Sequence, residues 1–152
     1  MSGLSITDYF PFKRMKIINQ TVHRHDPVSA MLHFEPDLRY RPICHDCGSP
    51  AQTVHSQGHR RLLRDLNLAD AQVWLEVEYR KIWCPECGGV RVEHLDLADA
   101  SKRVTHRLAQ YVHDLCKMMT VQDVATHLEL NPKTVKEIDK AFLEKSFGRS
   151  EE

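Results

Sequence analysis

The sequence predicts an α+β protein in which a small β-rich, zinc-ribbon-like domain precedes a three-helix domain of the helix-turn-helix type. Three observations support this prediction. Two copies of a Cys-x-x-Cys-Gly pattern begin at Cys44 and Cys84, and this pattern is typical of metal-binding turns. Between the two copies, apolar and polar residues alternate as they do in strands. Beyond residue 100, apolar residues recur instead with the spacing of amphipathic helices.

The composition excludes several classes of protein. The chain has 152 residues with 21 Lys+Arg and 21 Asp+Glu, so its formal net charge is zero. This length suits one ordinary domain or two small ones. A neutral chain has no generic affinity for polyanions, although it can carry local basic patches. Without a run of roughly 20 apolar residues or a secretory signal, we expect a cytoplasmic protein with no membrane contact.

The pattern of apolar residues changes near Asp96 and divides the chain. We expect a β-rich metal-binding domain over residues 1–95, a linker over 96–100, a helical domain over 101–148 and a tail over 149–152. Within the first domain, residues 73–83 predict a strand with one buried face. Such a small sheet buries little apolar surface, so a bound metal is expected to stabilise it.

The four paired cysteines are predicted to bind one structural zinc ion. They are Cys44, Cys47, Cys84 and Cys87. Two thiolates separated by two residues can bind one ion from a tight turn, and the glycine after each pair can adopt a positive φ. Two such turns complete a tetrahedral site of four sulfurs, which leaves no open position for a substrate. The site is therefore expected to be structural and not catalytic.

Other interpretations of the cysteines stay open on this evidence. Ligand type alone does not distinguish zinc from iron in a four-sulfur site. Disulfides would need an oxidising compartment, and a single Cys-x-x-Cys would fit a redox pair, whereas two matched copies favour a metal. The fifth cysteine, Cys116, lies on the apolar stripe of a predicted helix and is expected to pack as a small apolar residue.

Three helices are predicted in the second half of the chain. Ser101 is a plausible N-cap, followed by an amphipathic stripe over residues 104–119. Residues 120–123 fit a capping motif for a short second helix. A third helix is predicted over residues 132–147. Asn131 is a favoured N-cap residue, and Pro132 then occupies the first helical position, where proline is also favoured.

The second and third helices are predicted to form a helix-turn-helix. The small side chain of Ala125 would let two helices cross closely. In the turn, Glu129-Leu130 stand where a glycine is common, which predicts a looser or differently closed turn. The outward side of the third helix is polar and mostly cationic, as suits a helix in a DNA groove. Its candidate DNA contacts are Asn131, Lys133, Thr134, Lys136 and Lys140. The alternative is an ordinary helical hairpin with a solvated lysine face.

A basic cluster between the two cysteine pairs supplies further candidate phosphate contacts. These are Arg60, Arg61 and Arg64. Taken alone, the cluster fits an ordinary solvated face slightly better than a phosphate contact.

The order and spacing of these motifs resemble the N-terminal part of ISL3-type insertion-sequence transposases. The similarity lies in residues 54–61 (Val-His-Ser-Gln-Gly-His-Arg-Arg), in the Leu-Arg-Asp-Leu motif at 63–66, and in residues 79–87, which enter the second cysteine pair. A helix-turn-helix resembling residues 120–140 comes next. The resemblance covers most of residues 39–143.

This resemblance implies a DNA-binding function. In the family, the N-terminal modules recognise the terminal inverted repeats of the element in double-stranded DNA, and a following ribonuclease-H-like domain with three metal-binding acidic residues cuts and joins DNA. Because this chain stops at Glu152, we expect that domain to be absent and assign no catalytic residues. We therefore expect a truncated or remnant transposase that is not itself an enzyme. From the same resemblance we expect a nucleoid-associated location. We also expect the chain to pair with a second copy of itself or with a full-length transposase. The alternative function is a zinc-ribbon module for protein interaction or dimerisation without DNA binding.

Overall fold

The computed structural model describes residues 9–25, 27–99 and 102–150, and the predicted cap Ser101 lies outside these ranges. The chain divides into two compact units, Met1–Thr105 and His106–Glu152. In the described residues the first unit contains five strands and the second three helices, which confirms the predicted α+β class. No helix in this part of the chain is both long enough and apolar enough to cross a membrane.

The first unit is one sheet built around its fourth strand. Its strands are β1 (Met15–His23), β2 (Ser29–Pro36), β3 (Thr53–Leu68), β4 (Ala71–Cys84) and β5 (Gly89–Val92). The order is β1-β2-β4-β3, with β5 paired to β4. The β2–β4 pair is parallel and the other pairs are antiparallel. β3 runs along one side of β4, while β2 pairs with residues 72–77 and β5 with residues 81–84 on the other side.

The core of this unit lies on one face of the sheet. Val73, Leu75 and Val77 alternate along β4 and are completely buried, whereas Glu76 and Glu78 between them stay partly exposed. This confirms the predicted alternation. The core also includes Leu32 of β2 and Leu63 of β3, because their register positions place them on the same face. Burying side chains of this size contributes roughly 1.5–3 kcal/mol each.

The first unit extends further along the chain than predicted. Leu97 and Ala98, placed by the sequence in a linker over 96–100, are each 1% exposed and belong to the core. The following segment lies beside β3 through a parallel bridge between Arg64 and Val104. The unit boundary therefore falls after Thr105 and not near residue 95. Apolar residues in an irregular segment show no periodicity, so the sequence pattern could not place them in the core.

The second unit consists of three helices around a small apolar core. They are α1 (His106–Cys116), α2 (Val121–Leu128) and α3 (Pro132–Ser150). The buried residues are Leu108, Val112, Val124, Ala125, Leu128 and Val135. α1 is shorter than the predicted range of 104–119, because residue 104 pairs with β3 and residues 117–119 form a turn. α3 reaches two residues into the predicted tail, and residues 151–152 lie outside the described part.

The turn between α2 and α3 closes tightly in spite of its missing glycine. Glu129 adopts the left-handed conformation (φ 57°, ψ 45°), and its backbone N–H and that of Leu130 both bond the carbonyl of Ala125. Of the two expected outcomes, the turn is not looser but closed differently, by a left-handed residue other than glycine. A non-glycine residue in this conformation costs about 1–2 kcal/mol. The predicted caps are present, since Thr120 accepts from Asp123 N–H and Asn131 from Lys133 N–H.

Candidate metal centre and nucleic-acid interface

Four cysteine side chains converge at one end of the sheet. They are Cys44, Cys47, Cys84 and Cys87, and their sulfur atoms all lie within 4.8 Å of one another. The Sγ atoms of Cys47 and Cys84 are 3.4 Å apart, and those of Cys44 and Cys87 are 3.8 Å apart. The predicted ligands of both pairs therefore meet although 36 residues separate the pairs in the sequence.

The geometry of the cluster fits one tetrahedral metal ion. Zinc–sulfur bonds of about 2.3 Å in a tetrahedron place neighbouring sulfurs about 3.8 Å apart. The separation of 3.8 Å equals this value, and that of 3.4 Å is slightly shorter. Four thiolates are also a donor set that zinc and iron both accept. The first unit thus contains a site for a structural metal.

Each cysteine pair lies in a turn closed by the glycine that follows it. Gly48 and Gly88 adopt φ values of 74° and 70°, and their N–H groups donate to the carbonyls of Cys44 and Cys84 at 2.9 Å and 2.8 Å. The positive φ expected of both glycines is thus confirmed. L-residues rarely adopt this conformation, so the turns depend on glycine here.

Backbone pairing joins the two turns independently of a metal. Cys44 forms an antiparallel bridge with Glu93, and His94 N–H donates to the carbonyl of Ile43. The Glu93 side chain in turn forms a buried ion pair with Arg80 of β4. This pair was not predictable from the sequence, since Arg80 and Glu93 are 13 residues apart and carry no pattern of their own.

The protons of the thiols are distributed unevenly in the cluster. Hydrogen bonds from the Ser49 side chain and backbone lower the pKa of Cys47 to about 6. The hydrogen bond with Cys47, together with burial, raises the pKa of Cys87 to about 12. Four sulfurs this close cannot all become thiolates without a compensating cation, since like charges repel. A divalent ion would supply that charge.

The predicted lysines of α3 share one exposed face. Lys133, Lys136 and Lys140 are all exposed and lie on the side of the helix opposite the fully buried Val135. Lys140 lies 3.9 Å from Glu144 in a solvent-exposed pair. Thr134 is half-buried beside this face, and the exposed Asn131 uses its side-chain oxygen as the helix cap.

The three candidate arginines of β3 occupy different environments. Arg60 is exposed and pairs with Glu76 at 3.0 Å. Arg61 donates to the carbonyls of Asp99 and Lys102, and burial lowers its pKa. Arg64 is 4% exposed, lies over the Trp74 ring and donates to Asn67. Its guanidinium is buried and not presented to a phosphate, whereas Arg60 is exposed and Arg61 is partly exposed.

A partly buried histidine connects the first and third helices. His113 of α1 lies 2.8 Å from Asp139 of α3 and stacks on Phe142 with ring centroids 4.7 Å apart. Neither polar residue is prominent in the sequence. The sequence gives one indication of this contact: Phe142 follows Asp139 by three residues, so both side chains lie on the same side of α3.

Comparison with known proteins gives consistent matches for both units. Residues 41–97 match a family model described as the zinc-finger of transposase IS204/IS1001/IS1096/IS1165. Residues 93–143 match the helix-turn-helix domain of transposase family ISL3. The chain is also 42% identical over 104 residues to a transposase for insertion sequence element IS1001 from Bordetella parapertussis. That alignment covers 68% of this chain and 25% of the relative, so the chain spans about a quarter of the relative's length. No solved structure matches significantly.

Proposed function

Because the chain carries the zinc-finger and helix-turn-helix domains of ISL3-family transposases, we propose that it binds the terminal inverted repeats of an insertion sequence in a sequence-specific manner. The two domains already give it a DNA-binding, transposase-associated role. The proposed target is the terminal inverted repeat, the proposed contacts are residues of α3, and the proposed metal is zinc. A protein with this function would be located with the DNA, which in a prokaryote is the nucleoid region of the cytoplasm.

The exposed lysine face of α3 is the observation that supports this proposal most directly. Lys133, Lys136 and Lys140 project from one side of a helix whose other side packs on α1 and α2. An α-helix fits the major groove of DNA, and the N-terminal residues of a recognition helix reach the base edges. The lysines would neutralise phosphates, while Asn131 and Thr134 at the start of the helix would position it or reach bases.

The metal in the proposal is one zinc ion held by the four cysteines. Its bound thiolates would join the loop before β3 to the turn between β4 and β5, and so stabilise a small apolar core that includes Ile82 and Ala51. Zinc is favoured over iron by the matched family, whose model is described as a zinc finger. Metal analysis of the purified chain tests this choice, and a stoichiometric iron content would contradict it.

Fluorescence anisotropy tests the DNA-binding proposal. The probe is a labelled duplex of the terminal repeat from the insertion sequence that encodes the chain, compared with a shuffled duplex of the same composition. We expect tighter binding to the repeat, and each lysine removed from a phosphate contact should lower the slope of log affinity against log salt by about one unit. The variant with Lys133, Lys136 and Lys140 all changed to Ala should therefore bind weakly.

A control lysine separates this effect from general charge loss. Lys117 lies in the turn after α1, is 63% exposed and faces Asp114, so Lys117→Ala removes one charge away from the α3 face. We expect this variant to keep the wild-type affinity and salt dependence. If the triple α3 variant binds as well as the wild type, the groove assignment fails.

A second candidate function is protein interaction without DNA binding. It is favoured by exposed apolar side chains in the helical unit, of which Met118 is 77% exposed and Leu143 is 43% exposed. The partner would be a second copy of the chain or a full-length transposase. Sedimentation velocity distinguishes the two functions, since self-association in the absence of any DNA affinity would favour this second candidate.

A further inference from the structure

We propose that Glu137 of α3 selects one cytosine in the DNA target by accepting a hydrogen bond from its amino group. This inference rests on the proposed function, because it requires α3 to lie in a major groove. It goes further by naming the base and the side chain that reads it.

Glu137 lies beside the lysine face and, along the helix axis, between Lys133 and Lys140. On an α-helix, residues three and four apart share a side, so Glu137 is flanked by Lys133 on one turn and by Lys140 on the next. All three residues are exposed. The rise of about 1.5 Å per residue places Glu137 only about 6 Å along the axis from Lys133, in the half of the helix that meets base edges.

The carboxylate of Glu137 is not engaged by its neighbours. The spacing to Lys133 and Lys140 is the one that favours ion pairs on a helix. Among the described residues, however, Glu137 forms no ion pair, and Lys140 lies instead near Glu144 at 3.9 Å. Glu137 therefore presents an uncommitted hydrogen-bond acceptor beside the lysine face of the proposed interface.

A carboxylate at this position restricts which base the helix can accept in the major groove. A carboxylate facing DNA is repelled by the phosphates, so it weakens binding unless it gains a specific contact. Amino donors in the major groove belong to cytosine and adenine. In adenine the donor stands beside the N7 acceptor, which would repel the second carboxylate oxygen and suits an amide instead. A carboxylate is therefore matched to cytosine.

A selection experiment with randomised DNA tests this inference. The full chain is incubated with duplexes that contain a randomised central segment, and the bound fraction is sequenced for the wild type, Glu137→Ala and Glu137→Gln. We expect the wild type to enrich cytosine at one position, Glu137→Ala to lose that preference, and Glu137→Gln to change it to adenine. On a selected duplex, replacing that C·G pair by T·A should weaken wild-type binding by about tenfold and leave Glu137→Ala binding almost unchanged.

Glu144→Gln is the matched control. It removes the same charge from the same face, but seven residues later, or about 10 Å along the axis. Its base preference should equal that of the wild type. If Glu137→Ala selects the same bases as the wild type, this inference is overturned and the proposed function stands. If the wild type enriches no sequence at all, both fail. Far-UV circular dichroism confirms that each variant keeps its helices.

Discussion

Removing the carboxylate of Glu93 would show how strongly its buried ion pair stabilises the first unit. Glu93 and Arg80 are 4% and 8% exposed. Two parallel hydrogen bonds of 2.9 Å join their side chains, and the same carboxylate accepts the Arg80 backbone N–H at 2.7 Å. Glu93→Leu would leave a buried guanidinium and a buried N–H without this acceptor. Breaking a buried pair from one side costs about 3–5 kcal/mol, and an unpaired N–H about 1–3 kcal/mol.

We therefore expect Glu93→Leu to lower the free energy of unfolding by about 4 kcal/mol or more, a large share of the roughly 5–15 kcal/mol typical of a domain. Urea unfolding at a fixed metal content, followed by circular dichroism, measures the loss. The control is the double variant Arg80→Met/Glu93→Leu, which removes both charges and should lose less than Glu93→Leu alone. A loss below about 1 kcal/mol in Glu93→Leu, or a double variant with the summed losses of both single variants, would refute the reasoning.

Three further predictions concern the helical unit and the metal. Glu129→Gly should stabilise the chain by about 1 kcal/mol, because glycine adopts the left-handed turn without steric cost. Its thermal midpoint should exceed that of Glu129→Ala, and equal midpoints would contradict this. His113→Ala should cost about 1–2 kcal/mol, since it removes contacts with both Asp139 and Phe142. A double-mutant cycle with Asp139→Ala checks the coupling, and fully additive losses would argue against the pair. Cys84→Ser should abolish metal binding and unfold the cysteine end of the first unit, whereas a metal-free variant in which that end stays folded would disprove the structural role.

Local patterns in the sequence predicted those features that depend on neighbouring residues. The alternation along β4, the glycines after the cysteines and the cap at Asn131 each follow from the stereochemistry of a few adjacent residues. The convergence of the two cysteine pairs was also predictable, because one tetrahedral ion needs four thiolates and each pair supplies two. The α+β class and the order of the two units follow from these local signals.

Features that depend on distant contacts were not predictable from the same patterns. Arg64 has the appearance of a surface cation in the sequence, but the ring of Trp74 and the segment beside β3 bury it. Leu97 and Ala98 join the core from an irregular segment. Glu93 meets its partner only because β4 and the chain after β5 lie side by side. In each case tertiary packing, which leaves no periodic signal, decided the outcome.

The sharing of one edge of β4 by β2 and β5 has a consequence for how the first unit opens. The early part of β4 is held by β2 and the apolar core, whereas its final residues depend on β5 and the cysteine cluster. A single strand thus belongs to two regions of unequal local stability. Loss of the metal would fray the cysteine end of β4 while Val73, Leu75 and Val77 remain protected from exchange with solvent. The first unit would then lose its metal-binding end by local opening and not by complete unfolding.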